Sequence, residues 1–341
     1  MQKKYYDEIN TARGLGVLIV LLGHSFPDAE IGVFASPVYQ WFYDACYSFH
    51  MALFFLISGF VMGRTFYGGE YSFRAELVKK VKRLLVPYLF LSYISLLPKI
   101  FLNAYARNPV DTASVFRVLL GRGPNGSLWY LYTLFVFSVF VLVCGKFFKA
   151  FSKRMRGVYL LAGGILLYVV YAYAGELALQ TIYFEKICQY LIFYALGIML
   201  SRHYEKVRKC YVLPGGVVAL GLVFLSACPL IPGKTDYMVT AFLGSYGIFV
   251  LADHIASRKR SRAYAVLDRC GRYSYDIYIL SYYVQQLIRV VCFRRFGWDY
   301  SIVFWMELVL GFAVSYIFAV YMLRKSRLLK CLLIGMWEDK E

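Results

Sequence analysis

The stretch LWYLYTLFVFSVFVLVCGKFF, residues 128–148, holds one formal charge, Lys146, near its end. At about 1.5 Å per residue, a helix of this length spans the roughly 30 Å hydrocarbon core of a bilayer. Nine more apolar segments can be drawn around it, at 11–27, 41–63, 84–102, 157–175, 184–201, 211–229, 238–254, 274–293 and 302–323. The composition agrees with this pattern: of 341 residues, 60% are hydrophobic and only 17% charged, and the mean hydropathy is +0.56. These values exclude a disordered tail, a secreted disulfide scaffold and an ordinary cytosolic enzyme. The expected fold is an all-α integral membrane protein, a polytopic bundle of about ten transmembrane helices whose first partner is the lipid bilayer.

An even number of spans puts both termini on one side. If that side is the cytoplasm, 29 of the 38 Lys and Arg residues lie in cytoplasmic segments, including Lys3, Lys4, the basic residues from Arg64 to Arg83 and those from Arg258 to Arg272. This is the positive-inside pattern of a multi-pass protein of the cytoplasmic, or inner, membrane. The net charge of +18 is therefore a topology determinant and does not call for a nucleic-acid partner. Eight cysteines are scattered without a CxxC pair, so neither a metal centre nor a disulfide framework is expected. Arg13 and His24 interrupt the first apolar segment and no convincing cleavage site follows, which reads as a retained helix rather than a signal peptide. The loops are short apart from about 25 residues between segments three and four and about 20 between eight and nine. Residues 1–341 are thus expected to form a single transmembrane domain without a separate soluble one, and any chemistry takes place in or beside the membrane.

Ionisable groups inside membrane spans are costly, which makes them functional candidates. Of four histidines, His203 and His254 sit at helix ends among basic residues and read as interfacial. Arg13 and His24 are eleven residues apart in GLGVLIVLLGHSF and its approach, which is about 20° from three whole turns and roughly 16 Å along a helix axis. They share one face of one helix. Asp28 follows His24 at i+4, where a carboxylate can orient an imidazole. A plainer reading remains open, in which Arg13 anchors topology and His24 is a hydrogen-bonded packing residue. His50, in SFHMALFFLISGF, enters the second span at about the depth of His24, so the two imidazoles are expected to lie close together. Ser58-Gly59 in that segment reads as a small-residue helix contact, because no GxSxG elbow surrounds it. Lys79, Lys80, Lys82 and Arg83 stand directly before the third apolar segment, suited to phosphates or to lipid headgroups.

Taken together, Arg13 with ten residues before His24, FHMALFFLISGF at 49–60, KRLLVPY at 82–88 and GSLWYL at 126–131 resemble the membrane acyltransferase 3 family. The resemblance covers most of the chain. It implies an integral-membrane O-acyltransferase that moves an acyl group, acetyl in the first instance, from acyl-CoA to an extracytoplasmic glycan or lipid-linked sugar, with no metal. It also implies that His24 is the catalytic histidine and Arg13 its partner. Asn10 stands where such proteins commonly have Asp, Lys80 where a second arginine is common, and Ser281 where a histidine is frequent.

The chemistry suits these residues. Transfer from a thioester to a hydroxyl needs a base near neutrality, and His24 supplies one. The anionic end of cytosolic coenzyme A is expected among Arg13, Lys80, Lys82 and Arg83, with the pantetheine arm bridging the roughly 16 Å to His24. His50, Asp28 and Trp129 are further site candidates. Asp276 and Glu307, in or near the last two spans, are expected to pair with interior cations. The rival class is a transporter or flippase of polar or lipid-linked substrates, although no inverted repeat is visible.

Overall fold

A computed structural model describes residues 6–26, 36–67, 72–101, 111–123, 125–147, 152–173, 184–230 and 236–337. Among these residues the secondary structure is helical throughout, without strands. Among the described residues six helical stretches are long and apolar enough to cross a membrane: Pro37–Tyr67, Gly126–Phe147, Met155–Tyr173, Phe184–Arg208, Tyr237–Ser257 and Tyr300–Leu323.

Each of the ten expected segments contains helix, but the other four fall short of a full apolar crossing. The helix Asp7–Ser25 carries Asp7, Glu8 and Arg13 in its first half. Val86–Phe101, Leu213–Ser226 and Ser274–Ile288 have 16, 14 and 15 residues, only about 21–24 Å of regular helix. Two of these are lengthened by wider π-turns, Val81–Leu85 before the first and Arg289–Arg295 after the last. A further difference is that the second expected segment is two helices, Pro37–Tyr47 and His50–Tyr67, with a turn at Ser48 between them.

The chain divides into two compact units. The first consists of Met1–Phe54 with Glu205–Met322 and the second of Phe55–Tyr204 with Leu323–Glu341. In the first unit, helix α1 (Asp7–Ser25) packs against the helices Tyr237–Ser257, Arg262–Arg272, Ser274–Ile288 and Tyr300–Phe318. We number the helices in order as α2 (Pro37–Tyr47), α3 (His50–Tyr67), α4 (Phe73–Lys80), α5 (Val86–Phe101), α6 (Thr112–Leu119), α7 (Trp129–Phe147), α8 (Lys153–Tyr173), α9 (Phe184–Arg208), α10 (Leu213–Ser226), α11 (Tyr237–Ser257), α12 (Arg262–Arg272), α13 (Ser274–Ile288), α14 (Tyr300–Phe318) and α15 (Arg327–Ile334). The close packing of α1 on α12 depends on Gly14, because a Cβ there would strike the Leu267 carbonyl.

Two of the expected loops hold helices. Residues 103–127 include α6, which Asp111 and Ser114 open with a reciprocal capping box. The linker between segments eight and nine holds α12, opened by Ser261, whose hydroxyl accepts from the Tyr264 amide. One face of α12 buries Leu267, Asp268, Cys270 and Gly271, so what reads as a basic loop is an amphipathic helix completing the packing around α1.

In the second unit α3 and α9 approach through glycine. A Cβ on Gly59 would strike the Tyr194 carbonyl, one on Gly197 the Leu56 carbonyl, and one on Gly63 the Ser201 hydroxyl and Ile198 carbonyl. The Ser58-Gly59 pair is thus a helix contact, with Ser58 Oγ 2.8 Å from the Tyr130 hydroxyl.

Candidate active site

The N-terminal end of α1 is tied down by polar groups. Asn10 Nδ2 donates to both the carboxylate and the backbone carbonyl of Asp268, each at 2.8 Å, and Arg272 pairs with the same carboxylate. An aspartate at position 10 would set two carboxylates together, which explains the asparagine here. Arg208 bridges Glu8 at 3.4 Å and Asp253 at 2.6 Å, and Lys259 pairs with Asp7. Lys259 is held above its ordinary pKa by that hydrogen bond and charge. Arg13 follows on α1, half-buried, and the unbroken helix carries the chain three turns on to His24.

At the other end of α1, His24 is half-buried and its Nδ1 lies 3.3 Å from the Tyr47 hydroxyl. The imidazole meets the rings of Tyr47 and Tyr282 edge-on, with centroids 6.3 and 5.9 Å apart. His50 is buried and packs edge-on against the same Tyr47 ring at 4.8 Å. Its Nδ1 sits 2.7 Å from the Cys46 carbonyl. A carbonyl only accepts, so Nδ1 of His50 carries the proton and donates. Both histidines therefore converge on Tyr47, which also stacks on Tyr43 at 4.1 Å. Asp28 lies outside the described residues.

The backbone beneath His24 is held by side chains of α13, the π-turn that follows it, and α14. Gln285 Nε2 donates to the Leu21 carbonyl at 3.0 Å and to Ser25 Oγ at 2.9 Å. Arg289 donates from Nη2 to the His24 carbonyl at 2.8 Å, and Tyr300 donates its hydroxyl to the Ser25 carbonyl at 3.1 Å. Arg289 is in turn gripped by Glu307 through two bonds, 2.9 and 2.6 Å long, with both side chains buried. Glu307 thus has the interior cation expected of it. Asp276 is buried on α13, as is Ser281, the residue before Tyr282.

The remaining candidates fall in the second unit. Lys80 ends α4, and Lys82 and Arg83 lie on the π-turn after it. Lys82 Nζ stands 5.3 Å over the Trp337 ring, and Arg83 is exposed. Burial lowers the Lys80 ammonium to about 8, with Glu76 opposing and Lys79 and Arg83 adding to the shift. Trp129 packs against Phe55 and Tyr190, with the Lys186 ammonium 5.7 Å over its ring.

Sequence reasoning missed Tyr47, Tyr282, Gln285 and Arg289. Among 32 tyrosines neither Tyr47 nor Tyr282 carries a signal of its own. Arg289 did carry one, being a cation in an apolar segment with the anion Glu307 in the next.

Described residues that are helical, with six helices among them long and apolar enough to cross a membrane and a histidine set among aromatic rings at the end of α1, define a polytopic membrane protein with a candidate site for proton transfer. A family model described as an acyltransferase domain, acyltransferase 3, matches residues 6–324 and runs through both units. The chain belongs to that family and is a membrane acyltransferase. Comparisons with curated proteins and with solved structures each give no match.

Proposed function

We propose that the protein is an integral-membrane O-acyltransferase, with residues 1–341 acting as one catalytic domain, that transfers an acyl group from cytosolic acyl-CoA to a hydroxyl of an extracytoplasmic or lipid-linked glycan. Acetyl-CoA is the proposed donor and His24 the base. The observation that carries this reading is the Nδ1 contact of His24 with Tyr47. With Nδ1–H donated to the phenolic oxygen, Nε2 presents its lone pair to the acceptor hydroxyl. The hydroxyl oxygen attacks the thioester carbonyl as its proton passes to Nε2. The carbon–sulfur bond then breaks, and the departing thiolate takes that proton and leaves as the thiol of coenzyme A. Tyr47 orients the imidazole, and His50 packs edge-on against the Tyr47 ring. Arg13 supports the same helix from three turns below. Release of thiol from acetyl-CoA by purified protein, dependent on an added glycan, tests the activity. A carrier would release none.

The cations Lys80, Lys82 and Arg83 are the proposed binding element for the phosphates of the donor, through charge-assisted hydrogen bonds. Arg83→Ala is expected to weaken coenzyme A binding about tenfold by calorimetry on folded protein. Affinity should also fall as pH rises through about 8, where Lys80 loses its proton. Lysine is the charged partner only below its pKa, so arginine at position 80 should flatten that dependence. Unchanged affinity in Arg83→Ala would remove this element from the donor site.

We further propose that all ten apolar segments lie in the inner membrane, with both termini cytoplasmic, on the strength of the basic-residue asymmetry. The π-turns that extend α5 and α13 and the polar fastening of α1 support spans that are not uniformly apolar. Reporters placed between Asp28 and Gln40 and between Arg258 and Arg262 are expected in opposite compartments. A shared compartment would refute the topology.

A further inference from the structure

We propose that Arg289, held by Glu307, is a positioning residue for His24, fixing the backbone of the histidine while Tyr47 fixes its ring. This inference rests on the reading of His24 as the base.

The last turn of any helix leaves carbonyls without intrahelical donors, and a membrane interior offers little water to satisfy them. In α1 two of these groups are met from elsewhere in the chain, Arg289 serving His24 and Tyr300 serving Ser25, while the Leu21 carbonyl accepts from Gln285 and from the Ser25 hydroxyl of α1 itself. Arg289 Nη2 also approaches the Phe26 carbonyl at 3.5 Å. Gln285, Arg289 and Tyr300 donate from more than 260 positions away in sequence, so they fix the end of α1 relative to α13 and α14. A cation at a helix C-terminus also complements the helix dipole.

Helix capping alone does not require an ion pair. Exchanging a buried Arg–Glu pair for well-packed apolar residues of similar volume is often neutral or stabilising, whereas removing one partner is strongly destabilising. Here the pair is buried at 6% and 0% side-chain exposure. Two bonds to Glu307 set the plane of the guanidinium, and the same Nη2 then reaches the carbonyl of His24 itself. The carboxylate thereby orients the guanidinium, and the guanidinium orients the peptide that carries the imidazole. Small displacements of a catalytic group cost rate out of proportion to their cost in stability.

The test uses full-length protein purified in detergent and two readouts. One is kcat and KM for acetyl-CoA in glycan-dependent thiol release. The other needs no acceptor: the rate of carbethoxylation of His24 by diethyl pyrocarbonate, mapped by mass spectrometry relative to exposed His203, with His50 as a report on the fold. In the double variant Arg289→Met with Glu307→Leu, the expected results are an unchanged His50 ratio, a His24 ratio altered at least about threefold, and kcat about 10²-fold lower with KM within about twofold. Arg289→Lys keeps the charge opposite Glu307 but not the fork, and should lower kcat about tenfold while altering the His24 ratio. A wild-type His24 ratio and kcat in the double variant overturn the positioning role. If that variant does not accumulate, the same two wild-type values in Arg289→Lys overturn it. A separate control, His24→Ala, bears on the underlying reading: full activity there removes the base, whereas full activity in the Arg289 variants beside an inactive His24→Ala removes only the positioning.

Discussion

His24→Ala is expected to leave the protein folded and inserted and to lower glycan-dependent thiol release from acetyl-CoA by about 10²–10⁴-fold, the usual range for loss of a general base. Among the described residues the imidazole has one side-chain hydrogen-bond contact, 3.3 Å from the Tyr47 hydroxyl, and otherwise meets ring edges. Among those residues its removal therefore breaks no ion pair. The carbonyl of residue 24 keeps its bond from Arg289, because that bond is to backbone. Abundance and melting temperature should thus remain near wild type while turnover is lost, which separates a catalytic from a packing histidine. Near-wild-type thiol release in folded His24→Ala would end the base assignment and return His24 to the packing role its sequence position also permits.

Gly59→Leu is expected to abolish accumulation of folded protein, the largest stability effect we foresee. The Cβ position of Gly59 faces the carbonyl of Tyr194, and Gly197 meets Leu56 in the same way from the opposite helix. A backbone carbonyl cannot rotate aside as a side chain can, so α3 and α9 would have to separate along a contact built from small residues. Even Gly59→Ala should cost about 1–3 kcal/mol, the usual penalty of overpacking. Gly163 on α8 is the matched control, because nothing lies within 4 Å of its Cβ position. Gly163→Ala should be neutral or slightly stabilising. Thermal melting of the purified variants distinguishes the two sites, and a Gly59→Leu protein that melts like the wild type would contradict the glycine contact.

Much of the molecule was legible from one dimension. The length of an apolar run decides whether a helix can lie in lipid, and the runs beginning at 128 and 302 fall on Gly126–Phe147 and Tyr300–Leu323, both long and apolar enough to cross. Arg13 and His24 were recognisable because their spacing and their cost in an apolar segment are properties of one helix, and the helix Asp7–Ser25 is unbroken between them. The motifs that resemble acyltransferase 3 proteins, between Arg13 and Leu131, all lie inside the residues 6–324 matched by that family. Glu307 was read as the partner of an interior cation, and it has one.

Other features needed the tertiary structure. The helix α12 was hidden because its basic residues look like a solvated loop until Leu267, Asp268 and Cys270 are seen to face one side. The turn at Ser48 was hidden because apolar composition runs on through it. Tyr47 as a partner of His24 was hidden because it comes from another helix, while Asp28, the residue expected at i+4, lies outside the described residues. Sequence by itself determined where the long apolar segments lie and which ionisable groups they carry, since both follow from local composition and helical period. Only the tertiary structure decided which side chains meet: Tyr47 joins two histidines, and Gln285, Arg289 and Tyr300 close the end of α1. Those contacts depend on the rotation and depth of helices far apart in the chain, which the order of residues along any one of them does not specify.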